Sequence, residues 1–205
     1  MSKQLIITKE KILDTAFNIV KENGIEEVSN RSIAKRINCS IRPIYYQFNN
    51  SSELKRELTN YIEKYFYRYL MNNMTDNIPY YKQVGINYIK FAREENNLFK
   101  FLFMTKGNNL KDEVIDENKE EYQELVRLIK LSTKLKDDEI EKFHTKMWIF
   151  THGIATLICT GGIMFSDEEI ETLLSSEFQA LMLLEDNPSN KWDLSKYKDW
   201  RDKYE

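Results

Sequence analysis

The chain has 205 residues, 41% of them hydrophobic and 31% charged, a balance that excludes wholesale disorder and allows a sizeable core. Six Gly and three Pro are too few for an all-β fold with many tight turns, so the composition points to helices. The net charge of −3 is uneven: residues 1–60 hold ten Lys/Arg against seven Asp/Glu, a local +3, which leaves −6 for the rest. A basic head on an acidic body points to a polyanionic partner for the head.

The opening MSKQLIITKEK lacks the apolar core of a secretory signal, so a cytosolic protein is expected, and Cys39 and Cys159 match no metal or disulfide framework. The first helix is marked by Ile12, Leu13, Ala16, Phe17 and Val20 on one face, with Thr8 as N-cap and Gly24 past its end. A short helix follows Ser29 and turns Ile33, Ala34 and Ile37 inward. After the tight Asn38-Cys39-Ser40 connection, Ser40 is expected to cap a third helix over 41–47, with Pro43 at its third position. Asn50 with Glu53 reads as a capping box opening a long helix to about residue 71, with Leu54, Leu58, Ile62 and Phe66 on one stripe.

Farther on, Pro79 is expected to start a helix through Val84, Ile86, Ile89, Phe91 and Ala92. An aromatic segment spans 98–104, and an amphipathic, heavily charged one spans 114–131. Long helices are expected over 137 to about 160 and over 167–184, the second capped by Ser166. Residues 147–165 carry no charge, but Thr151, His152, Thr156, Thr160 and three glycines make this a poor membrane span; burial between helices or subunits is expected instead. In the tail, Leu194, Tyr197, Trp200 and Tyr204 recur at helical spacing, which predicts a docked terminal helix with Trp192 and Trp200 at least half buried. The class is all-α, with a head at 1–50 and a body at 51–205.

Two short helices joined by a tight turn and packed on a longer first helix describe a helix-turn-helix, a device that lays its second helix in the DNA major groove. Arg42 suits guanine or phosphate, Gln47 offers an amide, and Tyr45 and Tyr46 offer hydroxyls beside flat apolar surface. The candidate DNA contacts are Ser29, Arg31, Ser40, Arg42, Pro43, Tyr45, Tyr46, Gln47, Ser52 and Lys55. Phe48 is read as core, and Lys35 and Arg36 as a solvated face.

The run from Ile33-Ala34 through Cys39-Ser40, Tyr45 and Phe48 to Glu53-Leu54 resembles the DNA-binding domain of TetR-family regulators, over about residues 5–58. The family usually has Lys where Ser51 stands, a small residue at Arg42, and Thr or Ser at Pro43. Ser52, Lys55 and the amide end of their helix are expected to supply the phosphate contact. Trp148-Ile149-Phe150-Thr151-His152-Gly153 is similar to a Trp-x-x-x-His-Gly segment in the ligand-binding domain of one subgroup. The resemblance implies a homodimer joined through the last two long helices, binding a double-stranded DNA operator and released from it by a small molecule.

Small residues Gly153, Ala155 and Gly161 would permit close helix approach at such an interface. The body's aromatics and methionines suit a pocket for an apolar or aromatic effector, with Phe66, Tyr69, Phe91, Phe103, Trp148 and His152 as candidate lining. No nucleophile-base-orienter set or phosphate-binding Gly loop is spelled out, so no enzyme, cofactor or metal is expected. Glu141-x-x-His144 matches a di-iron half-motif, but its second copy is missing: Ile149 stands where the glutamate before His152 would be. The competing classes are a metal-carrying or enzymatic bundle and a small-molecule-binding module whose basic head is incidental.

Overall fold

The computed structural model describes residues 7–105 and 120–186. Nine α-helices account for the architecture of these residues: α1 Lys9–Asn23, α2 Asn30–Ile37, α3 Arg42–Gln47, α4 Ser51–Leu70, α5 Tyr80–Glu94, α6 Asn96–Phe103, α7 Glu120–Ser132, α8 Asp137–Cys159 and α9 Asp167–Asp186. The all-α class holds. The first residues of the 114–131 segment and the tail with Trp192 and Trp200 lie outside the described residues.

The helix ends follow local chemistry. Thr8 Oγ1 accepts from the Lys11 amide at 3.2 Å, and Gly24, at φ +91°, takes the chain out of α1 in a conformation that a side chain would strain. Ser29 and Ser32 cap α2 reciprocally, the two backbone amides donating to the opposite hydroxyls at 3.0 and 2.9 Å. Asn38 ends α2 in the left-handed region at φ +60°. Ser40 does not cap α3. Ile41 is already helical (φ −72°, ψ −15°) and its carbonyl accepts from Ile44 at 3.2 Å, which moves the cap to Ile41 and Pro43 to the second helical position.

At α4 the Asn50 side chain accepts from the Glu53 amide at 2.8 Å, whereas the Glu53 carboxylate accepts from Asn49, one residue before the cap. Asn50→Ala is expected to cost about 1 kcal/mol, read as a lower urea midpoint at unchanged slope. Ser166 opens α9 as expected, its hydroxyl accepting from the Glu169 amide at 3.2 Å while the Glu169 carboxylate takes the Ser166 amide at 2.8 Å.

Helix α5 is the spine of the body, packing against α4, α6, α7, α8 and α9. Its Ile89, Phe91 and Ala92 are fully buried. Gly85 lets α9 come close: a Cβ there would stand 3.3 Å from a Leu174 methyl. On the other side, α1 ties the head to the body, Phe17 meeting Tyr65 of α4 edge-on at 5.0 Å. Lys21 reaches the buried Glu95 carboxylate at 2.5 Å, and Tyr65 donates to the same oxygen at 2.8 Å. The Glu95 bond raises the Lys21 pKa. Among the described residues, no helix is long and apolar enough to cross a membrane; in the charge-free stretch Met147, Thr151, Ile154, Ala155, Ile158 and Cys159 are buried, whereas Ile149, Gly153, Leu157 and residues 160–164 are exposed in the single chain.

Candidate nucleic-acid interface and effector cavity

Helix α3 hides one face and displays the other. Ile44 and Phe48 are buried, which confirms Phe48 as core, while Tyr45 and Tyr46 are 58% and 85% exposed beside an exposed Arg42. Large aromatic surface held in water beside a cation is costly for a folded protein unless something covers it. Ser29, Arg31, Ser40, Ser52 and Lys55 are exposed too, and Pro43 is half-buried. Arg31, Arg42 and Lys55 form no ion pair with the described residues, so these cations remain open to an anion, whereas Arg36 is held by Glu22 and Lys9 by Glu57. Gln47 is half-buried and donates to the Ile7 carbonyl at 3.2 Å, tying its amide nitrogen to the start of the chain. Cys39 is half-buried in the turn, Cys159 is buried, and both are free thiols.

In the body, a cavity of about 730 Å3 opens between α4, α5, α6, α7, α8 and α9. Its wall includes Phe66 and Leu70 of α4, Tyr81 and Tyr88 of α5, Phe103 of α6, Tyr122 and Leu128 of α7, His144, Met147 and Trp148 of α8, and Leu174 and Phe178 of α9. Phe66, Phe103 and Trp148, named in sequence as candidate lining, are in this wall.

Tyr69, Phe91 and His152, also named in sequence as candidate lining, are not in this wall, and each is engaged by another neighbour. The Tyr69 hydroxyl bonds the Glu94 carboxylate at 2.5 Å. Phe91 is fully buried, edge-on to Phe66 at 4.9 Å and Tyr69 at 5.2 Å. The His152 ring lies against Trp148 at 4.9 Å and Phe99 at 5.7 Å, and its Nδ1 is 2.9 Å from the Tyr88 hydroxyl.

The residue missed in sequence is His144. It is buried against the wall, its Nδ1 3.0 Å from the Tyr81 hydroxyl and its ring near Tyr122. Glu141, its partner in the di-iron half-motif, is exposed, and no group of metal-ligating residues forms among the described residues. The useful signal was the spacing of four to Trp148, which puts both on one helix face. His144 Nε2 and Trp148 Nε1 are buried without a hydrogen-bond partner, a loss of about 1–3 kcal/mol each.

Burial lowers the His144 pKa to about 4 and lowers that of His152 as well. The unfolded chain thus takes up protons near pH 6.5 that the folded chain refuses, so this stability is complete above pH 6.5 and is lost as pH falls toward 4. Between pH 7 and 5.5 we expect about 1 kcal/mol to be lost through His144, read in urea denaturation. An unchanged urea midpoint would mean that His144 is protonated in the folded state.

No protein-family profile matches the chain. Over 95 residues it is 30% identical to the biofilm operon icaADBC HTH-type negative transcriptional regulator IcaR of Staphylococcus epidermidis. That match takes in 46% of this chain and 45% of the regulator, so the chain spans less than half the length of this curated relative. Among solved structures, a TetR-family transcriptional regulator from Haemophilus influenzae superposes with a TM-score of 0.59 at 17% identity, over 83% of this chain and 94% of that one. A TetR family protein from Vibrio parahaemolyticus does so with a TM-score of 0.57 at 17% identity, over 83% and 96%. The resemblance read in the helix-turn-helix thus extends through the body: the chain has the all-α fold of the TetR-family transcriptional regulators.

Proposed function

We propose that this protein is a homodimeric, DNA-binding transcriptional regulator whose operator affinity is lowered by a small, mostly apolar molecule in the cavity. The carrying observation is the exposed face of α3, where Arg42, Tyr45 and Tyr46 lie uncovered on a short helix held rigidly by Ile44 and Phe48. Arg31, from α2, and Lys55, with the capped N-terminus of α4, flank that face and suit phosphate. A head of residues 1–50 would bind DNA, and a body of residues 51–205 would dimerise and sense the ligand. This reading implies a cytosolic protein.

Coupling rests on α4, which runs from Ser52 and Lys55 to Phe66 and Leu70 in the cavity wall without a break. At 1.5 Å per residue, the two ends are about 20 Å apart on one rigid rod. A ligand that displaces the cavity end of α4 shifts the head and thereby the spacing of the two recognition helices in a dimer. Repression in the ligand-free state follows the S. epidermidis relative, a negative regulator by name.

The test is selection of genomic duplex fragments on the purified protein, followed by anisotropy titration of the enriched sequence. We expect specific binding that weakens about a hundredfold or more between 0.05 and 0.2 M salt, as several neutralised phosphates require. A protein that enriches no sequence and binds duplex no better at low salt would refute the regulator reading.

A further inference from the structure

His144 and Trp148 leave the same face of α8, one turn apart, and both belong to the wall of the 730 Å3 cavity. His144 Nε2 and Trp148 Nε1 are the two polar atoms of that wall found shielded from water and without a partner. Apart from Asn77 and Gln179, which are exposed to water, the other polar side chains of the wall are occupied. The Tyr81 hydroxyl meets His144 Nδ1 at 3.0 Å, and Thr151 donates to the Met147 carbonyl at 2.7 Å. Charge is occupied as well: Lys82 pairs with Glu171 at 3.3 Å, Asp76 accepts from the Tyr80 hydroxyl at 2.5 Å, and Glu63 is engaged.

We propose that the effector is a neutral, mostly apolar molecule bearing one hydroxyl group, its body among Phe66, Phe103 and Phe178 and its hydroxyl between His144 and Trp148. This rests on reading the cavity as the effector site. The chemistry follows from what each atom is able to do. Indole N–H only donates, so the ligand must present an acceptor to Trp148. His144 Nε2 accepts if Nδ1 carries the proton and donates if it does not. A hydroxyl satisfies both cases, because its oxygen accepts from Trp148 while it either donates to His144 or accepts from it. A carbonyl satisfies only the second case.

An anion would find no open cation in this wall, since burial keeps His144 neutral and Lys82 is paired. A lipophilic cation would have aromatic faces to lie on, but it would leave the indole N–H unmatched.

The experiment is equilibrium dialysis of the full chain, without DNA and at neutral pH, against 2-naphthol, naphthalene, 2-naphthoate and tetraphenylphosphonium. We expect 2-naphthol to bind about tenfold tighter than naphthalene and tighter than either ion, as one or two net hydrogen bonds imply. Trp148→Phe should bring the naphthol-to-naphthalene ratio toward one while naphthalene binding changes little, and His144→Leu should do the same. If a variant fails to fold, the wild-type ratio decides. Equal binding of naphthol and naphthalene, tighter binding of naphthoate or the phosphonium, or no probe retained by a protein of native helicity would each overturn the proposal. DNA binding is measured separately on the same preparation. A protein that binds DNA but does not prefer naphthol defeats this inference alone, and one that prefers naphthol but binds no DNA defeats the regulator reading.

Discussion

Arg42→Ala is expected to weaken specific DNA binding by about 1–3 kcal/mol, roughly five- to 150-fold, if the guanidinium reads a guanine. The substitution should leave the fold alone, because Arg42 is exposed and makes no ion pair with the described residues. Arg42→Glu should weaken binding further, since it adds repulsion from phosphate to the lost contact. A pure phosphate contact would show a different pattern: a uniform loss across sequences and a salt slope shallower by about one per contact removed. Anisotropy titrations of the selected operator and of a scrambled duplex separate these cases. If folded Arg42→Ala binds as tightly as wild type, α3 does not enter the groove by this end, and the assignment of Arg42 is wrong.

Gly153→Leu is expected to convert a dimer into folded monomers and to weaken operator binding by at least about a hundredfold, because each protomer would then hold only a half-site. The substitution tests the partner rather than the protomer: a Cβ at Gly153 would meet nothing within 4 Å in the single chain, and Gly153 is exposed. Ile149, Gly153 and Leu157, four apart, form an exposed, uncharged stripe along α8, and Ile163 and Met164 in the following connection and Leu183 and Leu184 on α9 are exposed as well. An apolar stripe of that length is the kind of surface a four-helix dimer interface covers, and a glycine in it permits close approach. Light scattering at micromolar concentration and circular dichroism read the outcome. A Gly153→Leu dimer of unchanged mass would move the interface elsewhere, and a monomeric wild type would end the dimer reading.

The helix-turn-helix was legible because its determinants are local. Ser29 with Ser32, Asn38 in the left-handed turn and Asn50 with Glu53 act within three or four residues, and the buried Ile33, Ala34, Ile44 and Phe48 declare themselves by spacing. Even there, α3 begins at Arg42 without a side-chain cap, since Ile41 had already adopted helical angles; no motif in Ser40-Ile41 announces that. The interface residues show a similar division. Gly153 and Ala155 are both small and near in sequence, yet Gly153 faces outward while Ala155 is fully buried in its own protomer. A helix turns about 100° per residue, so a two-residue step crosses to the opposite side.

The sequence alone determined which segments are helical, where the helix-turn-helix stands and that the body is rich in aromatics, because propensity, capping and periodicity are encoded within a few turns. Which aromatics face the cavity was decided only when six helices packed. Phe66 and Phe91 are alike in type and both apolar-face residues, but Phe91 is enclosed by α4 and α5 while Phe66 also borders the cavity. Both histidines sit on α8, yet the Tyr81 hydroxyl draws His144 to the wall, and the Trp148 and Phe99 rings hold His152 away from it. Trp148 is only one turn from His152, but Tyr81 and Phe99 come from positions some 50 to 60 residues away from the histidines they meet, and contacts at that distance follow from packing geometry rather than from any pattern along the chain.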